Sequence, residues 1–455
     1  MKRNTSIYPS HTRMLILGGG ESGVGAAILA QKAGYPVLVS DSGTLKEVYK
    51  TRLLAAGIPF EERGHSPKAL AQADVVIKSP GIPNTARVIQ EIRQVGKPIL
   101  SELEFAAKFT DARLIGITGS NGKSTVATLT WYMLKKGGLY VGLAGNIGKS
   151  FALQVAEEAY DYYVLEISSF MLEDIQDLKL DIAVLLNITP DHLDRYAYDM
   201  DLYADAKMRI FQHQGKRDIG IYCADDVGIQ KALTRHQIPG IVYTYSQQKK
   251  EIEGAYVDDG QLVINIQNKT PFNMSINELA MQGKHNVYNN MASGIIAKVL
   301  ELRNETMRES MGEYQNIPHR LEHVARIAGV NFINDSKATN VNAVWYALES
   351  VPQDVVLIMG GVDKGNDYSM LQDLVRQKVK ALICLGKDNQ RIHEAFDSEV
   401  EVIVNTRSMA EAVEVSFHLA SKGDTVLLSP ACASFDLFKN YEDRGDQFKK
   451  AVKDL

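Results

Sequence analysis

The sequence has few cysteines, no long apolar run and no surplus of one charge. Its three cysteines, Cys223, Cys384 and Cys432, lie too far apart for a disulfide framework or a zinc-binding spacing. No apolar run reaches the roughly 18 residues of a membrane span, and the polar segment Met1–Arg13 lacks the apolar core of a signal peptide. The formal net charge of −5 argues against a nucleic-acid-binding surface. These absences predict a cytoplasmic protein with no membrane span and no nucleic-acid partner.

The length and the order of the apolar segments predict several α/β domains. A chain of 455 residues is too long for one hydrophobic core and corresponds to about three domains. Strand-like segments such as Met14–Leu17 alternate with helical patterns such as Ala26–Ala33, which is typical of parallel sheets with helical crossovers. A β-rich insert is expected over Ile219–Asn273. We predict three domains, which are a Rossmann-like domain at 1–101, a P-loop ATPase-type domain at 102–317 and a second Rossmann-like domain at 318–455.

The most informative segment is the glycine-rich stretch Gly119–Thr125. It follows the apolar run Leu114–Ile117 and precedes a helical pattern, so it has the order strand, glycine loop, helix. In such a loop the backbone N–H groups and the helix N-terminus face phosphate oxygens, Lys123 adds a charge and Ser124 offers a hydroxyl to Mg²⁺. The loop is shorter than the common P-loop, and the alternative is an ordinary glycine turn before a helix. We predict that it binds the phosphates of a nucleotide.

Two further segments at strand ends carry groups that could hold a cation. Glu166 ends the apolar strand Tyr162–Ile167, where a carboxylate is placed to bind Mg²⁺. His192 follows another strand and has two aspartates beside it, Asp191 and Asp194. The alternatives are an exposed acid at a strand end and a structural histidine. Both segments are therefore candidate metal sites.

Lys207 lies in a stretch with the pattern of an ordinary helix. From this pattern alone we expect its side chain to be solvated. An ammonium group cannot bind a cation, whereas a carbamylated lysine is an anion and could do so.

The N-terminal region contains the spacing Gly18-x-Gly20-x-x-Gly23, and Asp41 ends the next strand. This is the dinucleotide-binding fingerprint, which taken alone suggests NAD, although any diphosphate could bind the same helix end. Ser79–Ile82 follows a later strand and is either a ligand loop or a plain turn. A purely structural glycine turn is the remaining alternative.

The last third of the chain has polar loops at the ends of predicted strands. Ligands of open α/β sheets bind at the carboxyl ends of strands, and Arg320, Lys337 and Lys364 lie in or beside such loops. For each loop taken alone, the alternative is an ordinary turn without a ligand. Together they predict a site for an anionic ligand.

Four motifs together resemble the ATP-dependent Mur ligase family, whose members build the peptide of bacterial peptidoglycan. They are Thr118–Thr125, Glu166–Ser169, Asp191–Arg195 and Gly283–Asn286, and the resemblance extends over essentially the whole chain. Within the family, Asp335–Asn340 is similar to the member that adds D-glutamate, and three more segments agree with it: Ser429–Ser434, Phe438–Asn440 and Arg444–Gly445.

The resemblance implies an amide-forming reaction with ATP as co-substrate and two Mg²⁺ ions. D-glutamate would be joined to UDP-N-acetylmuramoyl-L-alanine through an acyl phosphate. One Mg²⁺ would be held by Ser124 and Glu166, and the second by His192 and a carbamylated Lys207, which replaces the solvated interpretation of that lysine. The implied catalytic residues are Lys123, Glu166, His192 and Lys207.

The resemblance also distributes the three substrates over the chain. The residues implied for ATP are Gly119, Ser120, Asn121, Gly122, Lys123, Ser124, Thr125, Asn286, Arg320 and Asp335. Those implied for the UDP-linked substrate, in place of NAD, are Gly20, Ser22, Gly23, Asp41, Ser79, Gly81 and Asn146. Those implied for D-glutamate are Lys337, Thr339, Lys364, Ser434, Phe435 and Tyr441.

Two other functions remain possible from the sequence. A folylpolyglutamate synthase belongs to the same superfamily, but it would have no reason for a diphosphate-type first domain. A non-catalytic nucleotide-driven switch or an NAD-binding regulator would not need the additional polar loops of the last third. Nothing in the sequence indicates an oligomer, so we expect a monomer.

Overall fold

The computed structural model describes residues 7–191, 193–267, 269–314, 318–351 and 354–455, which form three β-sheets flanked by helices. The prediction of an α/β fold with three sheet-containing domains is confirmed. The chain divides into two compact units. The first comprises Met1–Ile188, Asp201–Ser275 and Tyr288–Met311 and carries the first two sheets, and the second comprises Thr189–Met200, Ile276–Val287 and Gly312–Leu455 and carries the third. The domain boundaries at 101/102 and 317/318 stay predictions.

The first sheet is parallel, with strand order β3-β2-β1-β4-β5. Its elements are β1 Met14–Leu17, α1 Glu21–Lys32, β2 Val37–Ser40, α2 Glu47–Ala55, β3 Phe60–Glu61, α3 Pro67–Gln72, β4 Val75–Lys78, α4 Arg87–Gln94 and β5 Ile99–Ser101, followed by α5 Glu102–Ala107. The central strand β1 is apolar and completely buried, as expected of a strand covered on both faces. The strand order reverses between β1 and β4, and the crevice of a Rossmann-type sheet opens at that point.

The second sheet has nine strands in the order β14-β13-β12-β11-β10-β9-β6-β8-β7. Its first elements are β6 Arg113–Thr118, α6 Lys123–Lys136, β7 Val141–Gly145, α7 Phe151–Glu157, β8 Tyr162–Glu166, α8 Ser169–Glu173, β9 Ile182–Leu185 and α9 Met200–Met208. They continue with β10 Ile219–Cys223, α10 Val227–Leu233, β11 Ile241–Ser246, β12 Gly254–Asp258, β13 Gln261–Asn265, β14 Phe272–Ser275, α11 Lys284–Val299 and α12 Asn304–Glu313.

The β-rich stretch expected over 219–273 is present but is not a separate layer. β10 pairs in parallel with β9, in the register Ile219↔Ile182, so the later strands extend the same sheet. Only β12, β13 and β14 form antiparallel pairs at its edge. The reason is burial, because Ile219, Ile221 and Cys223 are all buried beside the apolar strand β9.

The third sheet has the order β15-β16-β20-β17-β18-β19, with only the edge strand β15 antiparallel to its neighbour. Its elements are β15 Glu322–Ile327, β16 Val330–Asn334, α13 Val341–Ser350, β17 Val355–Met359, α14 Gln372–Lys378, β18 Val379–Leu385, α15 Gln390–Phe396, β19 Ile403–Thr406, α16 Met409–Leu419, β20 Thr425–Leu428 and α17 Tyr441–Lys453. Two apolar clusters cover the two faces of this sheet. Its neighbouring strands β16, β20 and β17 therefore end at one edge.

In the part of the chain that the structure describes, no helix is long and apolar enough to cross a membrane.

Candidate active site

The glycine-rich stretch forms the predicted strand, loop and helix. β6 ends at Thr118, α6 begins at Lys123, and Gly119 and Gly122 between them have φ values of 159° and 84°. Gly122 is the N-cap of α6 in the left-handed region, and a Cβ there would lie 2.6 Å from Asn289 Oδ1. The 14-residue α6 directs its N-terminus at the loop. This arrangement is suited to binding phosphate.

Two lysines converge on this loop. Lys123 Nζ donates hydrogen bonds to the carbonyl oxygens of Gly119 and Ser120, both at 2.8 Å. Lys207 Nζ donates to the same Gly119 oxygen at 2.9 Å and lies 4.6 Å from the centre of the Tyr203 ring. The Lys123 ammonium and the N–H groups at the start of α6 therefore face the same loop, an arrangement that favours an anionic ligand.

The prediction that Lys207 is solvated is wrong, because its side chain is 1% exposed. Helix α9 turns the face that carries Tyr203, Ala206 and Lys207 into the protein. The helical pattern of the sequence does not reveal this, since the loop that covers Lys207 comes 88 residues earlier.

Asn187, which the sequence analysis gave no individual role, holds the loop in shape. Its Oδ1 accepts from the Asn121 N–H at 2.8 Å, its Nδ2 donates to the Asn121 carbonyl at 3.0 Å, and its own carbonyl accepts from the Ser120 N–H at 3.0 Å. The available signal was its position two residues after β9, which pairs directly with β6. Ser120 Oγ is also within 3.1 Å of the Tyr203 hydroxyl.

Glu166 ends β8 and is 2% exposed. The register Ile117↔Glu166 brings it to the same edge of the sheet as the phosphate loop. Its Oε1 accepts from Asn146 Nδ2 at 2.9 Å, whereas its buried Oε2 has no hydrogen-bond partner among the described residues. A buried carboxylate oxygen without a partner is costly unless a cation or a proton compensates it, so the residues present fit a metal ion here.

The described residues do not by themselves contain a group of three or more His, Cys, Asp or Glu side chains arranged around a metal. His192, predicted as a metal ligand and a catalytic residue, lies outside the described residues. Ser124, the other predicted ligand, is buried in the first turn of α6. Asp191 accepts from Asn340 Nδ2 at 3.2 Å and lies 4.0 Å from Lys364 Nζ.

The N-terminal glycine loop is closely packed at the carboxyl end of β1. Gly18 has a φ of 93°, and a Cβ on Gly23 would lie 1.8 Å from the Gly18 carbonyl oxygen. Asp41 accepts from the N–H groups of Gly19 at 2.6 Å and Gly43 at 2.7 Å, so this carboxylate ties the loop to the end of β2. Gly20 faces open space.

The residues predicted for the UDP-linked substrate gather at one edge of the first sheet, with one exception. Ser79 follows β4, and its N–H donates to the Leu17 carbonyl at 3.0 Å. This bond brings the loop that contains Ser79 and Gly81 beside the glycine loop, which contains Gly20, Ser22 and Gly23. The exception is Asn146, which follows β7 of the second sheet and donates to Glu166.

Asp335 follows β16 and is 3% exposed. Its Oδ2 accepts from Ser429 Oγ at 3.0 Å and its Oδ1 accepts from the Leu321 N–H at 3.2 Å. Burial raises the pKa of Asp335 to about 6, against the opposing effect of the Arg320 guanidinium. Asn286, also predicted for ATP, is buried and donates from Nδ2 to the Gln282 carbonyl at 2.9 Å.

The predicted D-glutamate residues lie on loops that follow the neighbouring strands β16, β17 and β20. Thr339 and Lys337 follow β16, and Lys337 Nζ lies 5.5 Å from the centre of the Tyr441 ring. Lys364 follows β17. Ser434 and Phe435 follow β20, the first 2% and the second 73% exposed.

Arg444, quoted in the sequence analysis without a role, joins two of these loops. It is 1% exposed and donates to Ser336 Oγ at 3.0 Å, to the Ser336 carbonyl at 2.9 Å and to the Cys432 carbonyl at 3.2 Å. A buried arginine on a C-terminal helix is not recognisable from local sequence.

The protein has three β-sheets flanked by helices, and its phosphate loop carries a lysine and lies beside a carboxylate at a strand end. These features define the class of nucleotide-phosphate-binding α/β proteins. Three family models match the chain: the MurD N-terminal domain at residues 13–88, the Mur ligase middle domain at 117–297 and the Mur ligase, glutamate ligase domain at 319–432. The chain belongs to the Mur ligase family.

Individual relatives match over nearly the full length. The chain is 51% identical over 444 residues to the UDP-N-acetylmuramoylalanine–D-glutamate ligase of Bacteroides fragilis, covering 97% of the chain and 100% of the relative. It is 51% identical over 443 residues to the enzyme of the same name from Christiangramia forsetii, covering 97% and 99%. In fold it is similar to the UDP-N-acetylmuramate-alanine ligase of Thermotoga maritima, with a TM-score of 0.64 and 17% identity over 98% of this chain and 100% of that one.

Proposed function

We propose that this protein is an ATP-dependent ligase that joins D-glutamate to UDP-N-acetylmuramoyl-L-alanine, a step of peptidoglycan precursor synthesis. The observation that carries the proposal is the convergence of Lys123 and Lys207 on the phosphate loop, in a chain that is 51% identical, over 97% of its length, to a relative named for this reaction. ATP and nucleotide-linked sugars are cytoplasmic metabolites, so the proposal places the reaction in the cytoplasm. The monomeric state stays a prediction.

The proposed reaction has two steps. An oxygen of the alanyl carboxylate attacks the γ-phosphorus of ATP, the bond to the β-phosphate oxygen breaks, and an acyl phosphate and ADP form. The neutral amine of D-glutamate then attacks the acyl carbon, phosphate leaves with the electron pair of the broken C–O bond, and the amine loses a proton. Two anions must approach in the first step, so charge neutralisation is the main requirement.

The phosphate loop meets this requirement with its own groups. The N–H groups at the start of α6 and the Lys123 ammonium are positioned to bind phosphate oxygens, and they need little reorganisation because Asn187 already holds the loop. In the same proposal Arg320 contacts a phosphate, Asn286 the adenine and Asp335 the ribose. The base that takes the amine proton is not identified by the described residues, and His192 stays a candidate.

Mg²⁺ belongs to this proposal as the group that neutralises phosphate charge when it is bound. Ser124 and Glu166 would hold one ion, which is supported by Glu166 Oε2, a buried oxygen without a hydrogen-bond partner in the described part of the chain. The second ion would use His192 and a carbamylated Lys207. Carbamylation would convert the Lys207 ammonium near the Gly119 oxygen into an anion, which supplies the negative charge that a cation needs.

The other two substrates would bind at the edges of the first and third sheets. The diphosphate of the UDP-linked substrate would contact the loop of Gly20, Ser22 and Gly23, beside Ser79 and Gly81. For D-glutamate, the cationic Lys337 and Lys364 are suited to its carboxylates.

Phosphate release tests the proposal. We expect phosphate to form from ATP only when UDP-N-acetylmuramoyl-L-alanine and D-glutamate are both present. Phosphate release in the absence of UDP-N-acetylmuramoyl-L-alanine or of D-glutamate would contradict the proposed ligase activity and favour a nucleotide-driven switch.

Lys123→Ala tests the role of the phosphate loop. We expect a loss of at least about 100-fold in kcat/KM, equivalent to about 3 kcal/mol, because the variant loses a charge contact made in the transition state. Lys136→Ala, at the other end of α6, is the matched control and should stay within about twofold of the parent. Activity of Lys123→Ala within a few-fold of the parent, with the same circular dichroism spectrum, would disprove the phosphate-binding role.

A further inference from the structure

An ion pair outside the predicted substrate residues connects the first sheet to the second. Lys78 is the last residue of β4, and its side chain is 0% exposed. Its Nζ lies 2.7 Å from Oδ2 of Asp174, the C-cap residue of α8, whose side chain is 8% exposed. Both residues belong to the first compact unit. A buried ion pair is weak evidence for stability, because the cost of desolvation offsets the attraction, so its position needs another explanation.

The pair encloses the loop that follows β4. Lys78 Nζ donates a hydrogen bond to the Ile82 carbonyl at 2.7 Å and also pairs with Asp174 Oδ2 at 2.7 Å, since an ammonium has three N–H donors. The other oxygen, Asp174 Oδ1, accepts from Asn84 Nδ2 at 3.1 Å. The Asp174 carboxylate therefore contacts both Lys78, just before the Ser79–Ile82 loop, and Asn84, just after it.

This loop packs against the N-terminal glycine loop. Ser79 Oγ lies 3.5 Å from the Gly18 carbonyl, and a Cβ on Gly18 would lie 2.7 Å from Ser79 Oγ. A displacement of the Ser79 loop would therefore also disturb the glycines at the start of α1. Both loops are the ones to which we assign the UDP-linked substrate.

The carboxylate is itself fixed to the strand that carries Glu166. β8 ends at Glu166, α8 runs from Ser169 to Glu173, and Asp174 follows directly. The turn at residues 176–178, just after Asp174, is fixed by a residue of α5, the helix that follows the first sheet. Glu104 of this helix accepts from the N–H groups of Gln176, Asp177 and Leu178 at 3.0–3.1 Å. Asp174 therefore has a fixed position relative to both the Ser79 loop and the Glu166 strand end.

We propose that Lys78 and Asp174 are positioning residues that hold the Ser79–Ile82 loop in its binding conformation and so determine the affinity for the nucleotide-sugar substrate. This inference rests on the proposed function, because it uses the assignment of that loop to the UDP-linked substrate. Neither residue is assigned a contact with the substrate, so the effect of the pair is transmitted through the loop.

The test is the double variant Lys78→Met, Asp174→Asn in the full-length protein. It removes both charges, so no unpaired charge is left buried, and asparagine keeps an acceptor oxygen for Asn84. We expect the KM for UDP-N-acetylmuramoyl-L-alanine to rise about tenfold or more, while kcat and the KM values for ATP and D-glutamate change less than about twofold. A purely structural pair would instead lower the melting temperature and the active fraction, which reduces kcat and leaves KM unchanged.

Lys97→Met is the matched control. Lys97 is a partly buried lysine of the same sheet region, and among the described residues it donates to three carbonyl oxygens at the end of α3, those of Leu70, Ala71 and Ala73. Its loss should reduce stability without changing the KM for the nucleotide sugar. If the double variant does not fold, Asn84→Ala removes the second anchor of the loop and should raise the same KM by a smaller factor.

An unchanged KM in the folded double variant, or in Asn84→Ala where only that variant folds, would overturn the inference. A failure of the proposed function looks different, because the parent protein itself would then release no phosphate with UDP-N-acetylmuramoyl-L-alanine and D-glutamate.

Discussion

At the scale of single residues, burial decides the chemistry that a side chain can offer. Lys207 has the sequence surroundings of a surface lysine, yet its ammonium is buried against Tyr203 and shares the Gly119 carbonyl with Lys123. Burial at the phosphate loop, and not the local helical pattern, therefore determines what Lys207 can contact.

We predict that Lys207→Ala loses most activity, on the order of 100-fold, because the anion for the second metal is missing. Acetate should restore part of the activity, since it can place a carboxylate in the vacated space. Lys207→Arg should stay inactive because it keeps the positive charge and cannot form the carbamate. The measurement is the rate of phosphate release with and without acetate.

Lys231→Ala is the control for this experiment, because Lys231 is 63% exposed and pairs with Asp201 on the surface. Neither its activity nor its response to acetate should differ from the parent. Parent-like activity in Lys207→Arg would exclude the carbamate.

Asp335 shows a second consequence of burial. Its pKa in the folded protein is about 6, above the usual 3.8. Between these pH values the folded protein binds a proton that the unfolded chain releases, so raising the pH favours unfolding. The stabilisation that protonated Asp335 gives to the folded state is fully present below about pH 4 and is lost as the pH rises through 6. A pKa difference of about two units corresponds to a loss of about 3 kcal/mol in the free energy of unfolding.

Asp335→Asn removes this titration. We predict that the melting temperature of the variant rises relative to that of the parent as the pH increases from 4 to 6, and that the difference is constant above pH 7. Thermal unfolding at pH 4.5, 5.5, 6.5 and 7.5 measures it. A difference that is the same at every pH would contradict the raised pKa.

At the scale of secondary-structure elements, short helices join the first two sheets. α5 follows β5, and its two buried glutamates bind backbone of the second sheet region: Glu102 accepts from the Ala152 N–H at 2.7 Å, and Glu104 from the N–H groups of residues 176–178. α1 packs on α7 so closely that a Cβ on Gly25 would lie 2.1 Å from Ser150 Oγ. These contacts explain why the two sheets form one compact unit.

Glu104→Ala is predicted to lower the free energy of unfolding by about 2–4 kcal/mol, because three backbone N–H groups lose a charged acceptor. Glu91→Ala is the control, since Glu91 is 43% exposed and pairs with Arg87 on the surface, where such a pair contributes less than about 1 kcal/mol. Urea unfolding of both variants gives the values. Equal effects of the two substitutions would show that Glu104 does not hold the 176–178 turn.

At the scale of the whole molecule, each of the three sheets carries polar loops at the carboxyl ends of its strands. The first has the Gly18–Gly23 loop, the second the Gly119–Thr125 loop and the third the loops with Lys337 and Lys364. In the proposed function, each of these three edges would bind one anionic substrate. A glycine loop of the dinucleotide type in a chain with a separate phosphate loop therefore favours UDP over NAD for the first sheet.

We predict that the protein binds UDP and does not bind NAD, as measured by isothermal titration calorimetry with each ligand. Lys123→Ala should bind UDP as the parent does, because Lys123 begins α6 in the loop that follows β6 of the second sheet. Tight binding of NAD without a response to UDP would overturn the proposed function as well as the site.

Much of the fold was predictable from the sequence. Apolar segments such as Met14–Leu17 and the glycine spacings depend on neighbours in the chain, so their strands, loops and helices appear where the pattern indicates. The order of the motifs was also sufficient to identify the family, which the family models confirm.

What the sequence by itself determined is therefore local: the α/β alternation, the glycine loops and the strand-end positions of Glu166 and Asp335. Only the tertiary structure decided that Lys207 is buried at the phosphate loop, that Asn187 and Arg444 hold loops in place, and that Lys78 meets Asp174. The physical reason is that burial and charge pairing depend on contacts between residues far apart in the chain, as with the 88 residues between Gly119 and Lys207. No local pattern records such contacts, because packing of the sheets creates them.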